Sequence, residues 1–134
     1  RDGAPPQVGF VVMGGVFGES VDFTGASLAG VVCVGVGLPP PTLERQAVAG
    51  YFDARGLDGR TLAFHQPAMV KVVQMAGRLL RSPSDRGVLC LVDPRFRDAA
   101  FRQFFPGHWQ PVTVRAGQVA AALDAFWSAP GNAS

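Results

Sequence analysis

Lysine and cysteine are both scarce in this 134-residue sequence. Lys71 is the only lysine, and neither Gly-x-x-x-x-Gly-Lys-Ser/Thr nor Gly-x-Gly-x-x-Gly occurs, which argues against a self-sufficient phosphate-binding loop. The two cysteines, Cys33 and Cys90, cannot supply the four thiolates that an iron–sulfur cluster normally needs. Both lie in apolar runs, so we expect buried free thiols in a reducing compartment and a cytoplasmic protein.

Long apolar runs and charged residues are also few. No run approaches the roughly 20 apolar residues of a membrane-spanning helix, and no signal peptide is recognisable, so no contact with a membrane is expected. Charged residues make up 16% of the chain, which is low for a freestanding domain and suggests that another body normally covers one face. A net charge of +2 does not by itself indicate nucleic acid. The first residue is Arg1 rather than Met, which fits either a piece of a longer polypeptide or a processed chain.

Apolar runs alternate with helical patterns, which predicts an α/β fold: a mainly parallel sheet flanked by helices. Strands buried on both faces are predicted at 8–13, 30–36 and 87–92, and a short edge strand at 112–114. Helices are predicted at 42–55, from about Pro67 to Ser82, at 98–104 and at 116–127, and a loop at 57–64. The termini, 1–6 and 129–134, are expected to be flexible.

Three polar residues share one face of the helix predicted to end at Ser82. Gln74, Arg78 and Arg81 stand at i, i+4 and i+7, and Gly77 leaves room for another body beside them. Guanidinium groups match phosphate oxygens through paired hydrogen bonds and stay charged at any working pH, so this face suits a polyanion. On spacing alone, a solvated basic helix face is the alternative.

The same residues resemble a helicase motif. Gln-x-x-Gly-Arg-x-x-Arg from Gln74 to Arg81, followed by Ser82, Asp85 and Gly87, is similar to motif VI of superfamily 2 helicases, in particular the iron–sulfur DNA helicases of the DinG/XPD type. The segment 15–23, Gly-Val-Phe-Gly-Glu-Ser-Val-Asp-Phe, resembles motif V of that family. The spacing between these blocks and the Asp-Pro-Arg-Phe run at 93–96 also fit, and the resemblance covers residues 8 to 109.

The resemblance implies a fold and an activity. The chain would be the C-terminal part (1–134) of the second RecA-like lobe, a partial P-loop NTPase-type domain, in an ATP-dependent DNA helicase associated with DNA repair. ATP and Mg²⁺ would be held mainly by the first RecA-like lobe of the same polypeptide, with single-stranded DNA as the other partner and a monomer as the expected state. An iron–sulfur cluster would belong to the complete protein and not to this chain.

The resemblance also implies roles for individual residues. Arg78 and Arg81 would be arginine fingers, and Gln74 would align the nucleotide or the attacking water. On the nucleotide side we expect Glu19, Asp22 and Gly77. On the DNA side we expect Phe17, Gly18 and Ser20. Ser20 stands where the family usually has glycine, although its hydroxyl can still donate to a phosphate. Without the resemblance two interpretations of Glu19 and Asp22 stay open: ligand-binding carboxylates at the carboxyl end of a predicted strand, or ordinary carboxylates of a solvated loop.

Structural roles are favoured for the remaining candidate residues. Asp85 is expected to hold the following loop, and His65 and His108 lack the spacing of metal ligands. Three aromatic residues would pack rather than stack on bases: Phe104, Phe105 and Trp109. Two rival functions stay open. One is a non-catalytic nucleic-acid-binding or interaction module, which Ser20 favours, and the other is a complete small nucleotide-binding domain, against which the missing Walker lysine argues.

Overall fold

A computed structural model of the chain describes residues 5–13, 28–79 and 86–130. Strand β1 (Gly30–Val34) is followed by helices α1 (Leu43–Asp53) and α2 (Gln66–Ala76), then by strand β2 (Val88–Val92). After β2 come a 3₁₀ turn (Pro94–Arg97), a short helix α3 (Ala99–Arg102), a second 3₁₀ turn (Ala116–Gln118) and helix α4 (Val119–Ser128). None of the described helices is long and apolar enough to cross a membrane.

The two strands confirm the predicted parallel α/β arrangement. Gly30 pairs with Val88 and Val34 with Val92, so both strands run in the same direction and end at the same edge. The amide of Gly35 donates to the carbonyl of Val92 at 3.1 Å, which extends the pairing by one residue. A parallel pair needs a long crossover connection, and α1 and α2 provide it here.

Local signals set the bounds of α1. Thr42 is extended and its hydroxyl accepts from the amide of Arg45 at 3.4 Å, as an N-cap residue does. Glu44 lies in the first turn, where a negative charge favours the helix dipole. The chain leaves the helix through Gly56, whose φ of 74° is a left-handed conformation that favours glycine. The helix predicted at 42–55 is therefore confirmed.

The loop predicted at 57–64 is wrong in its second half. A π-helical turn (Thr61–His65) runs directly into α2. The carboxylate of Asp58 accepts from the Thr61 amide at 2.9 Å and from the Thr61 hydroxyl at 2.6 Å, so it begins the turn as a capping residue would. Ala63 and His65 are buried, so tertiary packing makes this turn part of the core.

The core lies between β1, α2 and the segment that follows β2. Its buried members come from all three: Cys33, Val36, Met69, Val72, Phe96 and Phe101. Met69, Val72 and Val36 are fully buried, so α2 is the helix that covers this side of the sheet. Cys33 and Cys90 are free thiols as predicted, with Cys33 buried and Cys90 half-buried.

Three strand predictions need correction. Residues 8–13 form no strand, and Phe10 is 95% exposed. Residues 112–114 form no strand either. β1 is covered on one face only, since Val32 and Val34 are 62% and 74% exposed. An apolar run becomes a buried strand only where another strand accepts its hydrogen bonds and a second layer covers it. The described part of the chain supplies no pairing strand to residues 8–13 and 112–114, and no second layer to the outer face of β1.

Candidate functional site

The end of α2 brings Gln74, Gly77 and Arg78 together. The α-helix ends at Ala76 rather than at Ser82, with Gly77 as its C-cap residue. The amide of Arg78 then donates to Met75 at 3.2 Å and the amide of Leu79 to Ala76 at 3.0 Å, so the last turn tightens to the 3₁₀ pattern. Glycine has a low helix propensity, which accounts for the early end. Gln74 is exposed and Arg78 is half-buried.

Gly77 is exposed and its backbone does not require glycine. Its φ of −62° and ψ of −15° are open to any residue. A Cβ built there would lie 3.5 Å from the carbonyl oxygens of Gln74 and Val73, which is ordinary contact, and it would meet no further described atom within 4 Å. The fold of the described part therefore leaves the space at Gly77 unused, between Gln74 and Arg78.

The carboxyl edge of the sheet holds a charged pair. Asp93 follows β2, and its carboxylate accepts from the Arg95 amide at 2.9 Å and from the Arg95 guanidinium at 2.9 and 2.8 Å. These hydrogen bonds, the guanidinium's first, hold the pKa of Asp93 below its usual range. In open α/β sheets ligands usually bind at this edge. The pair fixes the chain there, and the Asp-Pro-Arg order, with proline in the first turn, was the sequence signal for it.

The turn after β1 reaches the same edge. Gly35 and Gly37 have φ of 81° and 61°, conformations that L side chains rarely adopt. A Cβ at Gly37 would lie 3.0 Å from the Cε atom of Met13, so the terminal methyl of Met13 packs directly over this glycine. Gly37 is thus closely packed, and Val36 between the two glycines is fully buried.

Seven residues with predicted roles lie outside the described part of the chain. They are Phe17, Gly18, Glu19, Ser20, Asp22, Arg81 and Asp85. Their roles stay predictions, and of the predicted site the structure describes Gln74, Gly77 and Arg78.

The two histidines differ in their surroundings. The His65 ring packs on Phe101 with 4.6 Å between ring centroids, and the Nδ1 atom lies 3.5 Å from the Thr61 hydroxyl. Burial lowers the pKa of His65, a nearby Arg60 lowers it further, and Asp58 opposes both. His65 makes no capping hydrogen bond to α2, and His108 is exposed.

Phe105 packs against Trp109 with 5.3 Å between ring centroids, and both Phe104 and Phe105 contact the core, as expected for packing residues. The described stretches contain no group of three or more His, Cys, Asp or Glu side chains placed to hold a metal ion.

Sequence reasoning missed the contacts of Arg86. This side chain donates to the carbonyls of Phe126 and Ala129, at the C-terminal end of α4, and its guanidinium lies 4.5 Å from the centroid of the Phe126 ring. The partners are 40 and 43 residues away in sequence, so no local pattern could have indicated the contact.

Comparison with known proteins identifies relatives. The helicase C-terminal domain family matches residues 2–112. The ATP-dependent helicase DinG of Mycobacterium tuberculosis is 35% identical over 114 residues, which are 78% of this chain and 16% of that protein. A probable ATP-dependent helicase of Methanocaldococcus jannaschii is 35% identical over 99 residues, 67% of this chain and 15% of that protein. The chain thus spans about one sixth of the length of these relatives. No solved structure matches it.

Proposed function

The chain belongs to the helicase C-terminal domain family, and from that premise we propose that it is the C-terminal part of the second motor lobe of an ATP-dependent DNA helicase. The working protein, called the complete helicase below, would carry a first lobe that holds most of the nucleotide. The absence of a Walker lysine from this chain supports that division of labour.

The observation that carries this proposal is the exposed end of α2. Gln74 and Gly77 face outward there, and among the described residues no atom fills the space in which a Cβ of Gly77 would lie. A helix end that meets a nucleotide bound to another lobe has to be left open by its own domain. An arginine brought to that nucleotide offsets the negative charge that develops on the transferring phosphoryl group, which is where positioned charge has its largest effect on rate.

The proposed roles rest on the resemblance of the motifs, and the open helix end supports those of Gln74, Gly77 and Arg78. Arg78 and Arg81 would contact the γ-phosphate, and Gln74 would orient the attacking water or the nucleotide. Glu19 and Asp22 would lie on the nucleotide side of the loop after residue 13, with Mg²⁺ and ATP. Phe17, Gly18 and Ser20 would contact the backbone of single-stranded DNA from the other side of that loop, the Ser20 hydroxyl donating to a phosphate.

The test is the steady-state ATPase of the complete helicase with saturating single-stranded DNA. Arg81→Ala should lower kcat by roughly a hundredfold or more while the KM for ATP moves far less, because the arginine acts on charge that builds in the transition state. Arg81→Lys should restore little, since an ammonium group cannot reproduce a two-pronged guanidinium contact. Arg102→Ala, at an exposed arginine of α3, is the matched control and should behave as wild type. Near-normal kcat in Arg81→Ala with unchanged melting would refute the assignment.

A second candidate function is a non-catalytic nucleic-acid-binding module that retains the helicase fold. Ser20 in place of the usual glycine is the observation that favours it. The same preparation distinguishes the two, because such a module would bind single-stranded DNA with no ATP turnover in the wild type.

A further inference from the structure

Leu79, the residue after Arg78, packs directly on Gly87. A Cβ built on Gly87 would lie 2.6 Å from Cδ1, 2.8 Å from Cγ and 3.2 Å from Cδ2 of Leu79. Three atoms of one side chain occupy the space, so rotating a single methyl group would not free it. Leu79 is only 6% exposed and has little room to retreat. Gly87 has no positive φ, so this position needs glycine for space and not for backbone conformation.

Arg86, the residue before Gly87, ties the start of β2 to α4. Its guanidinium donates to the Ala129 carbonyl at 2.7 Å and to the Phe126 carbonyl, and it lies over the rings of Phe126 and Trp127 at 4.5 and 5.5 Å from their centroids. Carbonyl groups at the end of a helix lack partners within the helix and carry its negative dipole end, which makes them good acceptors for a guanidinium. α4 has no fully buried residue, and its half-buried face consists of Val119, Leu123 and Phe126, so this contact adds a specific attachment to the helix.

These two contacts involve the neighbours of Arg78 and Gly87 in the chain. On one side Leu79 is held by Gly87, and on the other Arg86 is held by α4. We infer that Gly87 and Arg86 are positioning residues for Arg78: Gly87 by admitting Leu79, and Arg86 by fixing the backbone of Gly87 against the end of α4. This inference rests on the proposed function, in which Arg78 contacts the nucleotide.

The size of the effect follows from the distances. Non-bonded carbon atoms are best separated by about 3.5–4.0 Å, so a methyl group at position 87 must displace Leu79 or β2 by about 1 Å. A misplacement of about 1 Å in a reacting constellation can cost on the order of a hundredfold in rate. Because the first lobe holds most of the nucleotide, ATP binding should change much less than turnover.

The first experiment measures kcat and KM for ATP in the complete helicase carrying Gly87→Ala. We expect kcat to fall about tenfold or more while KM changes less than about threefold. Gly107→Ala is the matched control: Gly107 is exposed, its φ is not positive and an added Cβ would meet nothing within 4 Å, so wild-type kinetics are expected. In a Leu79→Ala background, where the three contacting atoms are gone, Gly87→Ala should have no further effect on kcat. Such relief would show that the effect on kcat arises from the contact with Leu79, and the unchanged KM would show that the nucleotide site is otherwise intact.

The second experiment tests the attachment to α4. Arg86→Ala and Arg86→Lys should both lower kcat severalfold with little change in KM, because a compact ammonium group on a flexible stem does not reproduce the planar guanidinium that reaches both carbonyls and lies over the ring. Arg55→Ala is the control, since Arg55 also donates to a carbonyl and lies over a ring, both belonging to Tyr51 of its own helix end. If Gly87→Ala does not fold, the Leu79→Ala pair and the Arg86 variants decide the matter.

The outcomes separate this inference from the function on which it rests. Wild-type kinetics in both Gly87→Ala and Arg86→Ala, with Arg78→Ala strongly impaired, would overturn the positioning role and leave the proposed function intact. Wild-type turnover in Arg78→Ala would instead refute the proposed function.

Discussion

Two glycines of this chain should respond in opposite ways to the same substitution. At Gly77 the backbone is helical, with φ −62°, and an added Cβ lies 3.5 Å from its nearest neighbours. At Gly59 the residue is buried, and an added Cβ would lie 2.0 Å from the carbonyl oxygen of Ala49 and 2.8 Å from Oδ1 of Asp53. The Asp53 carboxylate also accepts from the Gly59 amide at 2.9 Å, so the clash falls on a contact that joins this turn to α1.

The magnitudes follow from these surroundings. Gly77→Ala should stabilise the chain by about 0.4–1 kcal/mol, because alanine fits without strain and restricts the unfolded chain. Gly59→Ala must move the backbone of α1 away from the turn by more than about 1 Å, and overpacking of this kind costs about 1–3 kcal/mol or more. Urea unfolding of the two variants, compared at equal m-values, measures both changes.

Function should separate from stability at Gly77. In the complete helicase, Gly77→Ala places a methyl group on the face that meets the nucleotide in the proposed function, so that proposal predicts a fall in ATP turnover although the domain is at least as stable. A Gly77→Ala variant that unfolds more readily than wild type would show that the fold needs this glycine after all. Wild-type turnover would show that nothing comes close to it.

Three further predictions concern activity, pH and the sheet edge. The 134-residue chain alone should release no phosphate from ATP with Mg²⁺ and single-stranded DNA, because it lacks a Walker lysine; turnover that follows the protein through purification would contradict this. Burial lowers the pKa of His65, so its stabilising contribution is complete above the unfolded value of about 6.5 and is lost as pH falls below it. The melting temperature should therefore drop less between pH 7 and pH 5 in His65→Phe, which keeps a ring against Phe101, than in wild type. Equal drops in the two proteins would show that protonation of His65 does not affect stability. Asp93→Ala should cost about 0.5–2 kcal/mol by removing the acceptor of the Arg95 amide, and a urea midpoint equal to that of wild type would show that the pair contributes nothing.

The elements that sequence predicted well are those whose causes are local. Thr42 and Glu44 mark the start of α1, and Gly56 its end, without reference to any distant residue. Residues 8–13 have an equally clear apolar pattern, yet a strand depends on partners elsewhere, and the pattern says nothing about whether they are present. The π-helical turn was missed for a related reason. The sequence predicts a loop there, while the burial of Ala63 and His65 makes the turn part of the core.

In the candidate site, too, the sequence predicted local features and missed contacts between distant residues. The order Gln74, Gly77, Arg78 indicated which residues belong together, and the structure places them at one helix end. The bounds of that helix were wrong because the chain tightens after Ala76, a choice that depends on small differences in free energy. The contact between Arg86 and α4 was beyond prediction, because it joins residues 40 apart whose types carry no mutual signal.

The glycines matter both for the fold and for the candidate site, and the sequence alone does not tell why a glycine is present. Gly37 meets a backbone requirement, with its φ of 61°, and Gly87 makes room for Leu79 within the chain. Gly77 meets neither need, but this alone would not single it out, because Gly107 is equally unconstrained. What distinguishes Gly77 is that an exposed glutamine and an arginine flank it one turn apart. A gap that the described part of the fold does not use, placed between side chains suited to phosphate and water, is what a surface that meets a nucleotide on another lobe would require.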